Sequence, residues 1–129
     1  MELVNKVAQS GLITLDLEDF FPKEAIVAFD IKEFLFRGLI LKELDFRAAL
    51  KAHDWSTYKD KTVAVFCSTD AIIPQWAFML VGTYLSAQTT EIYFGTTEDV
   101  EQKLFLSNLK RIDATKYIDE KIIIKGCGT

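Results

Sequence analysis

Clusters of basic residues are absent from this sequence. The net charge is −4, acids and bases are interleaved, and no basic run exceeds Lys110-Arg111. Nucleic-acid binding needs a concentrated positive surface, so no such partner is expected. Long apolar runs are also missing; a window such as Ala77 to Val81 falls far short of a bilayer span. The opening MELVNKVAQSG carries an acid at its second position and no signal-peptide core. A cytoplasmic location without membrane contact is therefore the expectation.

Cysteine is scarce. Cys67 and Cys127 are far apart in the chain with no CxxC, which argues against a disulfide framework and for two reduced thiols. Histidine occurs once, at His53, so cysteine and histidine together fall short of the four ligands of a structural zinc. Glycines are too scattered to cradle a phosphate, and no GxGxxG, GxxxxGK[ST] or GxSxG occurs. No residue constellation supports an enzyme.

A core is well supplied. Half the residues are hydrophobic (50%) and aromatics reach 12%, enough for one folded domain over residues 1–129. Leu3, Val4 and Val7 are spaced for a short N-terminal helix. LITLDL (12–17) and IVAFDI (26–31) read as strands that could form an antiparallel hairpin with a long loop. FLFRG reads as a strand ending at Gly38, followed by a helix from about Lys42 to His53. TVAVFCS (62–68) has no polar alternation, the mark of a strand buried on both faces in a parallel sheet. Pro74 suits a first helical position, giving a helix to about Ala87 that is apolar nearly all round. EIYFG (91–95) is a strand, 96–112 a helix with Thr97 as its cap, and 121–127 a last strand.

Two stretches repeat. LKAHDWSTYKD (50–60) aligns with LKRIDATKYID (109–119), placing Asp54 on Asp113, Tyr58 on Tyr117 and Asp60 on Asp119. One inserted residue would then put Cys67 on Cys127. The fold class is α/β: a mostly parallel central sheet with helices on both faces and the N-terminal strand pair at the edge or flank. Two helix-turn-strand units are expected, at about 34–90 and 91–129. The second lacks the helix and strand that follow Cys67, so either a longer natural chain or a partner chain is expected to supply them.

SGLITLDLEDF, FDIKEFLFRGLILKELDFR, HDWSTYKDK, CSTDAIIPQWAFMLV and KGC together resemble the family called domain of unknown function 2480, found in Bacteroidetes. The resemblance covers essentially the whole chain and brings no established activity. It implies a continuation past Cys127 with a Pro-containing helix and a strand bearing a further cysteine. Through gene neighbourhood it also implies a role beside iron–sulfur assembly proteins.

Ligands of open parallel sheets bind beyond the carboxyl ends of the strands, where Cys67 and Cys127 both stand. One reading makes them soft ligands for a transition metal or a thiol site, with Ser68, Thr69 and Asp70 beside them and Asp70 or a further cysteine completing the set. The other makes them small buried residues, which cysteine composition favours. His53 and Asp54 are weaker ligand candidates; a histidine there more commonly faces the negative end of its helix. The Asp and Tyr positions of the repeat are expected to shape the helix-to-strand turns. Trp76, Phe78 and Met79 are either core or a homodimer contact. Three functions follow: a non-enzymatic accessory or scaffold in iron–sulfur or thiol metabolism, a small-ligand module using the strand-end crevice, or a structural dimer.

Overall fold

The computed structural model describes residues 11–126. In chain order the elements are β1 Ile13–Asp16, β2 Ile26–Asp30, α1 Glu43–Ala52, β3 Thr62–Phe66, α2 Gln75–Ser86, β4 Ile92–Phe94, α3 Thr97–Lys110 and β5 Ile122–Lys125. Short 3-10 turns follow β1 (Leu17–Phe20), β2 (Ile31–Phe34), α1 (Trp55–Tyr58) and α3 (Ala114–Tyr117). Two compact units divide the chain: a mid-chain unit, Glu24–Gln102, and an end-chain unit, Met1–Lys23 with Lys103–Thr129. Among the described residues no helix is long and apolar enough to cross a membrane.

The mid-chain unit is built on a parallel sheet in the consecutive order β2-β3-β4. Its centre is β3, where Val63, Ala64 and Val65 are each 0% exposed. Such burial on both faces is why TVAVF shows no polar alternation. Crossovers in parallel sheets are right-handed, so consecutive order puts α1 and α2 on the same face. The helices meet there: the Phe46 ring stands edge-on to Trp76 at 5.9 Å. Helix α1 buries Phe46 and Leu50, four residues apart, and α2 buries Ala77, Val81 and Leu85 at the same spacing. Although α2 is apolar nearly all round, it buries a single stripe, and Met79 remains 64% exposed. Pro74 is extended and lies just before the helix, its carbonyl accepting the Ala77 amide at 3.0 Å.

An aromatic stack ties sheet to helix. Trp55 lies between Phe29 of β2 (5.3 Å) and Tyr84 of α2 (4.9 Å), and its Nε1 donates to the Leu50 carbonyl at 2.7 Å. FLFRG is not a strand. Phe36 and Ile40 exchange backbone hydrogen bonds across a tight turn in which Arg37 (φ 51) and Gly38 (φ 71) are left-handed.

In the end-chain unit β1 pairs parallel with β5, Ile13 opposite Ile122 through Asp16 opposite Lys125. Phe21 stacks on Phe105 at 4.5 Å, and Nδ2 of the Asn108 side chain donates to the Phe20 carbonyl at 2.7 Å.

The parallel α/β class holds, and its strand partners differ from expectation. The runs at 12–17 and 26–31 form no hairpin; each enters a 3-10 turn and pairs with a strand distant in sequence. The last strand joins β1 in a two-stranded sheet instead of joining β3 and β4. The helix over residues 3–7 lies outside the described residues.

The repeat is visible in the backbone. Asp54 and Asp113 each accept the amide two residues on, from Ser56 and Thr115, both at 3.1 Å. Asp60 (φ 57) and Asp119 (φ 60) are both left-handed. The Lys61 and Glu120 amides donate to the Tyr58 and Tyr117 carbonyls, both at 3.1 Å. Every one of these pairs shares one sequence offset, so the alignment continues without an insertion. A second likeness, at a different offset, joins DLEDF to DIKEF: Asp16 and Asp30 start the same turn, each bonding the amide two residues on at 3.0 Å.

Two outcomes are expected in urea denaturation. Phe46→Ala removes a fully buried ring and lowers stability by about 3–5 kcal/mol. Asp60→Val and Asp119→Val each cost about 1–2 kcal/mol, because a β-branched residue is strained at positive φ, while Asp→Gly at either position does not.

Candidate functional site: the strand-end crevice

The carboxyl ends of β3 and β4 open a crevice of about 450 Å³. Its wall runs from Val65 and Phe66 to Cys67, where β3 stops, and returns along Phe94 and Gly95 at the end of β4. Because α2 begins only after Pro74, residues 67–74 cross the strand ends as a loop and add Thr69, Ala71 and Ile73. Phe78 closes the helix side, edge-on to Phe94 with centroids 6.0 Å apart. No charged side chain lines the space, and its volume suits a small molecule.

Gly95 is set by geometry. Its φ is +147, its amide donates to the Val65 carbonyl at 2.9 Å, and a Cβ there would stand 3.1 Å from Cβ of Asp99. Asp99 is needed there: its carboxylate accepts the Thr96 amide and its own amide donates to the Thr96 hydroxyl, both at 3.1 Å. This reciprocal box makes Thr96, not Thr97, the cap of α3.

Polar bonds lock the rim. Thr69 donates its hydroxyl proton to the Gly38 carbonyl at 2.7 Å, pinning the 36–40 turn to the loop. Its oxygen is then the acceptor at the 3.4 Å contact with Cys67 Sγ, and the thiol donates. Ser68 and Asp70 are exposed. Asp30, at the end of β2, accepts the Ser68 amide and the Lys32 amide, both at 3.0 Å. Partial burial pushes its carboxyl up, but the Ser68 hydroxyl, the two amides and the Lys32 charge outweigh this and hold it below its ordinary value of 3.8. The sequence reading missed Asp30, although the shared pattern of DLEDF and DIKEF was there to find it.

The remaining candidates separate. Nε2 of His53 meets the Tyr58 hydroxyl at 2.8 Å, and its ring lies edge-on to Phe34 and Trp55. Burial raises the Tyr58 phenol more than the Thr57 hydrogen bond lowers it. Asp54 caps its turn, held below the usual carboxylate range by the Ser56 hydroxyl and then the Ser56 amide; Thr115 does the same for Asp113. Trp76 packs on the core under the Arg47 guanidinium at 4.7 Å, Phe78 lines the crevice, and Met79 is exposed. Cys127 lies outside the described residues.

The matching of the two cysteines does not survive the pairing register. Val27 opposite Val63 corresponds to Ile13 opposite Ile122, so the ungapped repeat puts Gly126, not Cys127, at the place of Cys67. The strands leading to the two cysteines also lie in different sheets. Among the described residues no group of three or more His, Cys, Asp or Glu could hold a metal ion.

The sequence profile of a family described as "Protein of unknown function (DUF2480)" matches residues 1–129. The chain belongs to the DUF2480 family. No curated protein and no solved structure matches it. For this DUF2480 protein the geometry of its own site therefore carries the functional argument.

Asp30 gives that site an acid signature. Its native carboxyl protonates below 3.8, so as pH falls the unfolded chain takes up the proton first. The stability Asp30 contributes is complete above that value and is lost as pH drops through the native one. Asp30→Asn should flatten the decline of the urea midpoint between about pH 5 and pH 2; an unchanged slope would show that the Ser68 link is not formed in solution.

Proposed function

We propose that this DUF2480 protein is a binding module that takes a small, neutral, largely apolar group in the crevice at the carboxyl ends of β3 and β4. The observation that carries this reading is the crevice itself: about 450 Å³, uncharged, walled by Phe78 and Phe94, and made from elements of one unit. Ligand sites of α/β sheets lie at these strand ends. The rim supports a preformed site, since Thr69, Ser68 and Gly95 are each fixed by a hydrogen bond to another strand or turn. Aromatic side chains standing edge to face favour a planar guest, which can lie against one ring and meet the edge of the other.

A role in iron–sulfur or thiol handling draws less support. Cys67 is the one sulfur in the crevice lining, and its proton is engaged with Thr69. Holding a soft metal there would cost that contact and would need further ligands.

The test is a fragment titration by two-dimensional amide NMR, with indole as the reference probe and Cys127→Ser as the background. Shifts should gather at residues 65–67, 69–73, 78 and 94–95, and indole should slow maleimide labelling of Cys67. Ala71→Phe fills the crevice and should abolish both effects with the fold intact. Shifts scattered over the surface, or labelling of Cys67 indifferent to indole, would overturn the proposal.

A further inference from the structure

The backbone donors at the end of β3 meet different fates on its two edges. In a parallel ladder, alternate residues face alternate neighbours. On the β4 edge Val63 donates its amide to the Glu91 carbonyl and Val65 accepts the Gly95 amide, both at 2.9 Å. On the β2 edge Ser68 donates its amide to the Asp30 carboxylate at 3.0 Å, so the alternation holds two residues past Phe66, where the strand ends. Cys67 stands between Phe66 and Ser68 and therefore aims its N–H at the β4 edge.

The next rung on that edge is missing. It would carry the Cys67 amide to the Gly95 carbonyl, yet among the described residues that amide meets no acceptor. Gly95 is the reason. Parallel strands hold φ near about −120°. At +147 the Gly95 carbonyl leaves the ladder direction, as the chain turns into the Thr96–Asp99 box that caps α3. On the β2 edge the Asp30 side chain takes up the last donor. On the β4 edge no side chain does so: Thr69 gives its hydroxyl proton to Gly38 and accepts from the Cys67 thiol, and Phe78 and Phe94 are apolar. Cys67 and Gly95 both line the crevice, so the open donor lies in its wall.

We infer that the crevice selects a planar ring bearing a neutral carbonyl group, whose oxygen accepts a hydrogen bond from the Cys67 amide. The inference rests on the binding reading above and names the class of ligand. The oxygen takes the place that the Gly95 carbonyl would hold in an unbroken ladder, about 2.9 Å from the Cys67 nitrogen. A ring without an acceptor would cover the donor and leave it unsatisfied, a loss that a carbonyl avoids. The group is neutral because no charged side chain lines the space, and a carboxylate would exchange its hydration for one neutral donor. A carbonyl on a ring lies in the ring plane. A guest that suits the edge-to-face pair of Phe78 and Phe94 can therefore present its oxygen at its own edge.

The probes are 1-indanone and indole, bicyclic rings of similar size of which only the first has a carbonyl. The carbonyl stretch of protein-bound 1-indanone should fall below its position in hydrocarbon solvent, and titration with 1-indanone should move the Cys67 amide proton downfield. Cys67→Ala and Cys67→Pro both lack the sulfur and differ in the N–H. Proline here removes no hydrogen bond of the fold, and Phe66 before it is already extended, as a residue preceding proline must be. The ratio of 1-indanone to indole affinity should be about three- to tenfold lower in Cys67→Pro than in Cys67→Ala. Should Cys67→Pro not fold, the infrared and amide shifts of the unsubstituted protein decide. An equal ratio in the two variants, or a carbonyl stretch and a Cys67 amide left unmoved by binding, overturns the inference and leaves the crevice reading standing. If neither probe shifts the crevice amides, that reading fails and the inference fails with it.

Discussion

Burying the centre of β3 is the constraint from which the mid-chain unit follows. A strand with Val63, Ala64 and Val65 all closed to solvent needs a neighbour on each edge and cover on each face. Parallel neighbours cannot be reached by a tight hairpin, so a helical crossover must precede and follow it in the chain, and α1 and α2 supply these, both on one face. The same parallel direction brings the ends of β3 and β4 to one side. That is why a loop delayed by Pro74 and the Gly95 turn meet there and leave a space between them.

Aspartate carries the turning. Asp16, Asp30, Asp54 and Asp113 each accept the amide two residues on and each open a 3-10 turn. The short acidic side chain stands in for a backbone acceptor at a point where the chain leaves a regular element. Asp30 also accepts a long-range hydrogen bond, from the Ser68 amide, and so converts a local turn device into a tie between the ends of β2 and β3. What fills the space beside the turn differs between the units. Trp55 of the mid-chain repeat is replaced by Ala114, and the stack on Phe29 and Tyr84 has no counterpart there.

Local features were legible in the sequence. Missing alternation marked β3, and apolar residues at helical spacing together with Pro74 marked α1 and α2. Asp and Tyr at matching places marked the repeated turns. Pairing was not legible, because which strand lies beside which is decided by contacts distant along the chain. The Leu12–Leu17 and Ile26–Ile31 runs resemble the halves of a hairpin, and only their separate partners reveal them as openings of two parallel pairs. FLFRG has strand composition, but positive φ at Arg37 and Gly38 folds it into a turn. The expected crevice was one shared by the strand ends of Cys67 and Cys127, whereas the structure opens one between the ends of β3 and β4. Cys67 was weighed as a ligand, while of the rings that shape the space Phe78 was read as core or a homodimer contact and Phe94 as part of a strand.

The cysteine register bears on function more than any other detail. Side chains alternate along a strand, so a shift of one residue sends a side chain to the opposite face. With Gly126 at the place of Cys67, the repeat supplies no second thiol in the matching orientation. The repeat therefore gives no ground for treating the two sulfurs as a symmetric pair. A chemistry that needs one sulfhydryl beside an apolar cavity keeps its geometric basis. Cys67 is then best understood through its neighbours: it donates to Thr69, Thr69 holds the Gly38 turn, and that turn closes the rim beside which a guest would sit. On that chain of contacts, replacing the sulfur changes the tightness of the rim before it changes any reaction.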